Sequence, residues 1–181
     1  ADHLSISGGL DIGLNQARTV FFVINSISNR NNDEVIGVST GQMIDIGYYS
    51  RNSRLRLRHH DGITNHDEYS LNNTVNLNES YVIKVEYTGP TENSAKGFAN
   101  NVEILNVGGE AFSYALNKDQ QGNAADLGIG WAGYTNRETS NAYIGEILIF
   151  DKTLDEAQTT EVNSYLANKW DLTTSMDSDG D

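Results

Sequence analysis

Three short stretches hold the residue types that could do chemistry. "GIGWAGYTNR" (Gly128 to Arg137) brings Trp131 and Tyr134 beside Asn136 and Arg137. Sugar sites pair an aromatic face, which stacks on the apolar side of a pyranose, with amides, carboxylates and guanidinium groups that bond hydroxyls. These four residues are therefore candidate ligand contacts, as are Tyr48, Tyr49 and Tyr69; for Trp131, packing in a core is the competing reading. "RHHDGITNHDEY" (Arg58 to Tyr69) gathers His59, His60, Asp61, His66, Asp67 and Glu68. A transition-metal site would need three or four of these to converge, and neighbouring histidines on a strand point to opposite faces. A solvated hairpin loop is the expected reading, with a calcium site on Asp61 or Asp67 plus backbone carbonyls left open. "DSDGD" (Asp177 to Asp181) sets carboxylates at alternate positions, with Gly180 allowing a tight turn. Calcium loops use this layout, because a hard cation wants several oxygens from one short segment. Asp177, Asp179 and Asp181 are thus candidate calcium ligands, the alternative being a plain acidic tail.

Catalytic patterns are scarcer. A glycosidase needs two carboxylates about 5 to 9 Å apart across the scissile bond, which on a strand means acids at alternating positions. No Glu-x-Asp-x-Glu run occurs. Glu146 stands alone among apolar neighbours in "YIGEILIF" and reads as structural, at a strand end or in a hydrogen bond. "GIGWAGY" has glycines but precedes no helix, as a dinucleotide-binding turn must.

The elements that would position these residues are mostly strands. "RTVFFVIN" (Arg18 to Asn25) is apolar on both faces, as expected of a strand covered on both sides. "QMIDIGYY" (Gln42 to Tyr49) and "RLRLRHH" (Arg54 to His60) read as successive antiparallel strands joined by "SRNS". In the second, Leu55 and Leu57 face one way, and Arg54, Arg56 and Arg58 the other, toward water or acidic neighbours. "SYVIKVEYTG" (Ser80 to Gly89) alternates as a half-buried strand. Further strands are expected around Val102 to Leu105 and in Ala125 to Tyr134. Near the end, Thr153 and Glu156 have capping-box spacing, and Leu154, Ala157, Val162, Tyr165, Leu166 and Trp170 follow at helical intervals, so one helix is expected there with Trp170 as its largest anchor.

The totals set bounds. A chain of 181 residues suits one domain; 12 basic against 25 acidic residues give a net charge of -13, which repels phosphate backbones and anionic lipid. Neither nucleic acid nor membrane insertion is expected. With no cysteine, disulfides and thiolate metal sites are excluded. No apolar run nears the roughly 18 residues that span a bilayer, and the start lacks a leader pattern, so any secretion signal is expected upstream or removed. Pro90 is the one proline, which leaves turns to Gly, Asn and Asp.

The closing stretch "NAYIGEILIFDKTLDEAQTTEVNSYLANKWDL" resembles the last segment of the concanavalin A-like, laminin-G-like jelly rolls of bacterial secreted proteins. Gly145, Glu146, Ile147, Ile149, Phe150, Asp151, Leu154, Lys169 and Trp170 fill that family's pattern of strand, aspartate and short helix ending near Lys-Trp. "DHLSIS" followed by "ARTVFFVIN" is similar to its opening, and "DSDGD" resembles the start of a thrombospondin type 3-like calcium repeat. The resemblance implies an all-β fold, an antiparallel β-sandwich (concanavalin A-like jelly roll) with one C-terminal α-helix over 1–172, then an acidic linker at 173–181. It also implies a non-catalytic carbohydrate-binding or adhesion module of a larger secreted or cell-surface bacterial protein, using calcium and taking a glycan or polysaccharide as partner. A glycoside hydrolase or polysaccharide lyase on the same fold, and a spacer domain in an adhesin, are the alternatives.

Overall fold

The computed structural model describes residues 4–12, 16–27, 33–38, 45–49, 53–60, 65–89, 95–107, 126–130 and 141–173, with backbone alone for 33–34, 38, 45–49, 58–60 and 65–66. Eleven strands are described: β1 (Leu4–Ile6), β2 (Arg18–Ser26), β3 (Asp33–Val38), β4 (Asp45–Tyr49), β5 (Arg54–His60), β6 (Asn65–Tyr69), β7 (Ser80–Tyr87), β8 (Ala95–Ala99), β9 (Val102–Asn106), β10 (Leu127–Ile129) and β11 (Ala142–Phe150). One helix follows, α1 (Glu156–Lys169). The strands form a six-stranded sheet, ordered β1-β10-β3-β4-β5-β6, and a five-stranded sheet, ordered β11-β2-β7-β8-β9. Every pairing is antiparallel. The result is a jelly-roll sandwich with a C-terminal helix, as the sequence leads one to expect.

The main core lies between the sheets. Val20, Phe22 and Ile24 of β2 and Ile83, Val85 and Tyr87 of β7 meet Ile36, Leu55, Leu57 and Leu127 of the six-stranded sheet. A smaller core lies on the other side of the five-stranded sheet, where Phe21, Val23 and Val82 are covered by Leu154, Leu166 and Leu172. This second layer explains why β2 is apolar on both faces. It also corrects the half-buried reading of β7, because Val82 and Lys84 are buried on the helix side too. The Lys84 ammonium reaches Glu86 at 2.8 Å and lies 3.8 Å from the Phe98 ring centroid, so its stem is covered while its charge is answered.

The stretch expected to hold one strand around Val102 holds a hairpin, β8 and β9, turned by Asn100 (φ 45°) and Asn101 (φ 67°). Asparagine tolerates the left-handed conformation that a two-residue hairpin turn needs at both positions. A second correction concerns the helix start. The N-cap is Asp155, whose carboxylate accepts from the Gln158 amide at 2.8 Å while the Gln158 side chain accepts from the Asp155 amide at 3.3 Å. Thr153 is passed over because Leu154 is still drawn into the core, its amide donating to Thr19 Oγ1 at 3.2 Å. The helix is also rotated from expectation: Asn163, Leu166 and Ala167 are buried, whereas Ala157, Tyr165 and Trp170 are exposed. It ends where Asp171 turns left-handed (φ 55°) and the Leu172 amide bonds the Ala167 carbonyl at 2.8 Å. Among the described residues, no helix is long and apolar enough to cross a membrane.

Candidate functional site

The six-stranded sheet has an outer face that α1 does not cover. In β5, Leu55 and Leu57 enter the core, so Arg54 and Arg56 lie on that outer face by strand alternation. The register sets Arg56 opposite Gly47 of β4 and Tyr69 of β6, with Asp67 opposite Arg58. The Arg54 guanidinium carbon stands 4.5 Å from the Tyr69 ring centroid, a cation-π contact that fixes the flat guanidinium against the flat ring. Arg56 is only 1% exposed. A buried guanidinium is held by partners, which makes this a rigid part of the face; of the two expectations for the basic side, water or neighbouring groups, the wet one fails at Arg56. Gly128 of β10 and Gly37 of β3 sit opposite each other, and Gly47 follows in β4. Gly37 and Gly128 are both buried, so this end of the sheet is covered and the open part of the face lies toward Arg54 and Tyr69.

Of the residues singled out from sequence, Tyr69 and Asp67 are on β6 beside β5. The backbones of Tyr48 and Tyr49 are in β4, opposite Leu55 and Arg54. Trp131, Tyr134, Asn136, Arg137, Asp61, Asp177, Asp179 and Asp181 lie outside the described residues. Arg54 and Arg56 were overlooked as site residues. Their signal was present in three arginines at alternating positions of an acidic chain. Among the described residues, no group of three or more His, Asp or Glu side chains could hold a metal ion.

Two short patterns resemble catalytic or cofactor motifs by letters alone. Gly37-Val38-Ser39-Thr40-Gly41 has the spacing of a nucleophile elbow, and Gly128-x-Gly130-x-x-Gly133 that of a dinucleotide turn. Both motifs work at a turn from a strand of an α/β sheet into a helix. Here β3 and β10 are neighbours in an antiparallel sheet, and six residues, 39 to 44, separate β3 from β4. Among the described residues, the α/β context for either chemistry is missing.

On the opposite side of the sandwich, Glu146 has the structural role its sequence setting indicated. Its carboxylate accepts from the Tyr165 hydroxyl at 2.9 Å, Trp170 Nε1 at 3.1 Å and Lys169 Nζ at 3.0 Å. Partial burial works to raise the carboxyl's pKa. The bonds from Lys169, Trp170 and Tyr165 outweigh that and hold it below the ordinary value. Lys169 is pushed up, chiefly by its bond to the Tyr165 hydroxyl and then by Glu146. These four groups latch α1 to β11.

No family model matches the chain, and no curated protein matches it. Solved structures do. The carbohydrate-binding domain CBM40 of the Ruminococcus gnavus IT-sialidase, bound to α2,3-sialyllactose, aligns with TM-score 0.59 at 15% identity, over 90% of this chain and 97% of that one. The NanB sialidase of Streptococcus pneumoniae, as its K499G mutant, aligns with TM-score 0.62 at 12% identity, over 89% of this chain and 26% of that chain. Domains LG4-5 of the mouse laminin α1 chain align with TM-score 0.56 at 16% identity, over 86% of this chain and 40% of that chain. The chain therefore spans nearly all of the first and about a quarter of the sialidase. At these identities the likeness establishes the jelly-roll fold.

Proposed function

We propose that the protein is a non-catalytic carbohydrate-binding module and that the outer face of its six-stranded sheet takes an acidic saccharide. The observation that carries this is the placement of the partly exposed Arg54 against the Tyr69 ring on that face, with the buried Arg56 opposite Tyr69 as a fixed part of the frame. In a chain of net charge -13, the Arg54 guanidinium is a cation suited to meet an acidic ligand on this face. Guanidinium binds carboxylate through two parallel hydrogen bonds, and a tyrosine ring offers the apolar face of a sugar something to rest on. The shared fold with a domain solved with sialyllactose supports the same ligand class. In this reading the module belongs to a larger secreted or cell-surface bacterial protein and serves attachment. Calcium is assigned in this reading to the Asp177, Asp179 and Asp181 segment and to Asp61 or Asp67, whose carboxylates suit a hard cation.

The test is a calorimetric titration of the 181-residue chain with α2,3-sialyllactose and with lactose, each with calcium and with a chelator. Binding of the acidic sugar alone supports the proposal, and dependence on calcium supports the ion. No binding of either sugar in any condition would favour a spacer domain. Hydrolysis of the sialoside during the titration would favour an enzyme.

A further inference from the structure

A cavity of about 230 Å³ lies on the helix side of the molecule, remote from the arginine face, between α1 and the β8–β9 turn. Its walls are Asn101 from the turn, Thr160, Asn163, Ser164 and Asn168 from α1, and Thr173 beyond it. Ala167 forms an apolar floor. Asn163 is buried, and its Nδ2 donates to Asn101 Oδ1, which joins the helix to the turn across the cavity. That bond uses one of the two functions of each amide. Among the described residues, the Asn163 side-chain oxygen and the Asn101 side-chain nitrogen remain uncommitted, and Ser164, Asn168 and Thr173 make no side-chain hydrogen bond. Exchanging O and N in both amides reverses the bond and still leaves one donor and one acceptor.

Among the described residues the lining carries no charge, in a chain with 25 acidic and 12 basic residues. An anion would find no cation here, and a hard cation no carboxylate. Adjacent donors and acceptors around a small apolar floor match a sugar ring, whose hydroxyls both donate and accept and whose C–H face is apolar. The volume falls below the range of about 300–1,000 Å³ typical of drug-sized ligands, which limits the occupant to one ring. We infer that this cavity is a second binding site, for a single neutral pyranose or the terminal residue of a neutral glycan. The inference is independent of the acidic-sugar reading, because no residue is shared between the two places.

The experiment is NMR of the full 181-residue chain with labelled side-chain amides, titrated with glucose, galactose, mannose and N-acetylglucosamine. The expected result is saturable shifts of the Asn101, Asn163 and Asn168 amide signals by at least one sugar, with a Kd of about 1–10 mM, ordinary for so small a ligand. Ser164→Trp, at an exposed helical position, fills the cavity. It should abolish those shifts while the melting temperature holds, and Arg54→Ala should leave them unchanged. No saturable shift with any of the four sugars overturns the inference. So does saturation by a neutral Asn- and Ser-containing peptide with none by sugars, or shifts that persist in Ser164→Trp.

Discussion

Trp170 Nε1 donates to the Glu146 carboxylate at 3.1 Å, while the six-membered edge of the same indole rests on Gly145, 3.0 Å from where a β-carbon would stand. Two neighbouring residues of one strand thus receive the two ends of one side chain. The register shift in β11 falls between Ile144 and Glu146, so Gly145 is the extra residue of a β-bulge. The bulge lets Ile144 and Ile147 both face the main core although their numbers differ in parity. It also turns Glu146 toward the helix.

Glu146→Gln tests the latch. The Glu146 carboxyl is held below its ordinary value of 4.5, so it adds stability fully present above that pH and lost as pH falls through its lowered folded value. Denaturant unfolding at pH 7 should show Glu146→Gln less stable by about 0.5–1 kcal/mol, a figure discounted for partial exposure. As pH falls through that lowered value, the two proteins should converge. An equal gap at pH 7 and below that value would mean that shape, not charge, is what matters at this position.

Gly145→Ala places a methyl group against the indole. With the ring atoms of Trp170 at 3.0–3.1 Å from the new carbon, the indole must shift and its bond to Glu146 lengthen. The expected loss is about 1–2 kcal/mol. A red shift in tryptophan emission and faster exchange of α1 amides should accompany it. An unchanged emission spectrum would show that the indole stays where it is.

The helix cap distinguishes two sequence patterns of equal appearance. Thr153-x-x-Glu156 and Asp155-x-x-Gln158 both have capping-box spacing, and only the second is formed. Asp155→Ala should lower stability by about 1 kcal/mol in thermal unfolding, and Thr153→Ala should stay within about 0.5 kcal/mol of the parent. The reverse order would place the helix start two residues earlier.

What was legible in the sequence was whatever depended on one face at a time. The two-sided apolarity of β2, the Leu55/Leu57 alternation in β5 and the strand-to-helix passage after Phe150 follow from local pattern. The misreadings come from partners that local pattern does not contain, or from local signals too weak to stand out. Lys84 looked solvated because its cover comes from Phe98 on β8 and from the helix side of the sheet. The apolar run in β11 concealed a bulge, since a one-residue insertion erases the period of two. The Asn100–Asn101 turn was read through because asparagines abound in this chain and two more carry little local signal. Arg54 and Arg56 were visible as a pattern. Their meaning required knowing that Arg56 is buried and that β6 brings Tyr69 to their side.

Gly97→Ala probes how closely the sheets meet. A β-carbon there would lie 2.5 Å from Leu55 Cδ2 and 3.2 Å from Leu105 Cβ, so β8 approaches β5 with no room for a methyl group. The substitution should cost about 1–3 kcal/mol by overpacking. Leu55→Val in the same chain should recover part of that loss, a coupling of at least about 0.5 kcal/mol. Strict additivity of the two changes would mean that the strain is relieved elsewhere in the core.

Arg54 is the residue through which the proposed acidic-sugar site can be tested without disturbing the fold. Unlike Arg56 it is only partly buried, and one of its contacts is with the face of the Tyr69 ring. If the face holds a carboxylate, Arg54→Ala should weaken α2,3-sialyllactose binding at least about tenfold while the melting temperature moves little. Arg54→Lys keeps the charge and loses the planar fork, so it should recover only part of the affinity. Tyr69→Ala should reduce binding as well, through the lost stacking surface and the loosened guanidinium. Raising salt from about 0.05 to 0.5 M should weaken the parent far more than Arg54→Ala, because screening acts on the charge that the variant lacks. Equal affinity of Arg54→Ala and the parent for the sialoside would remove the carboxylate from this face, and equal salt sensitivity would remove the charge from the recognition.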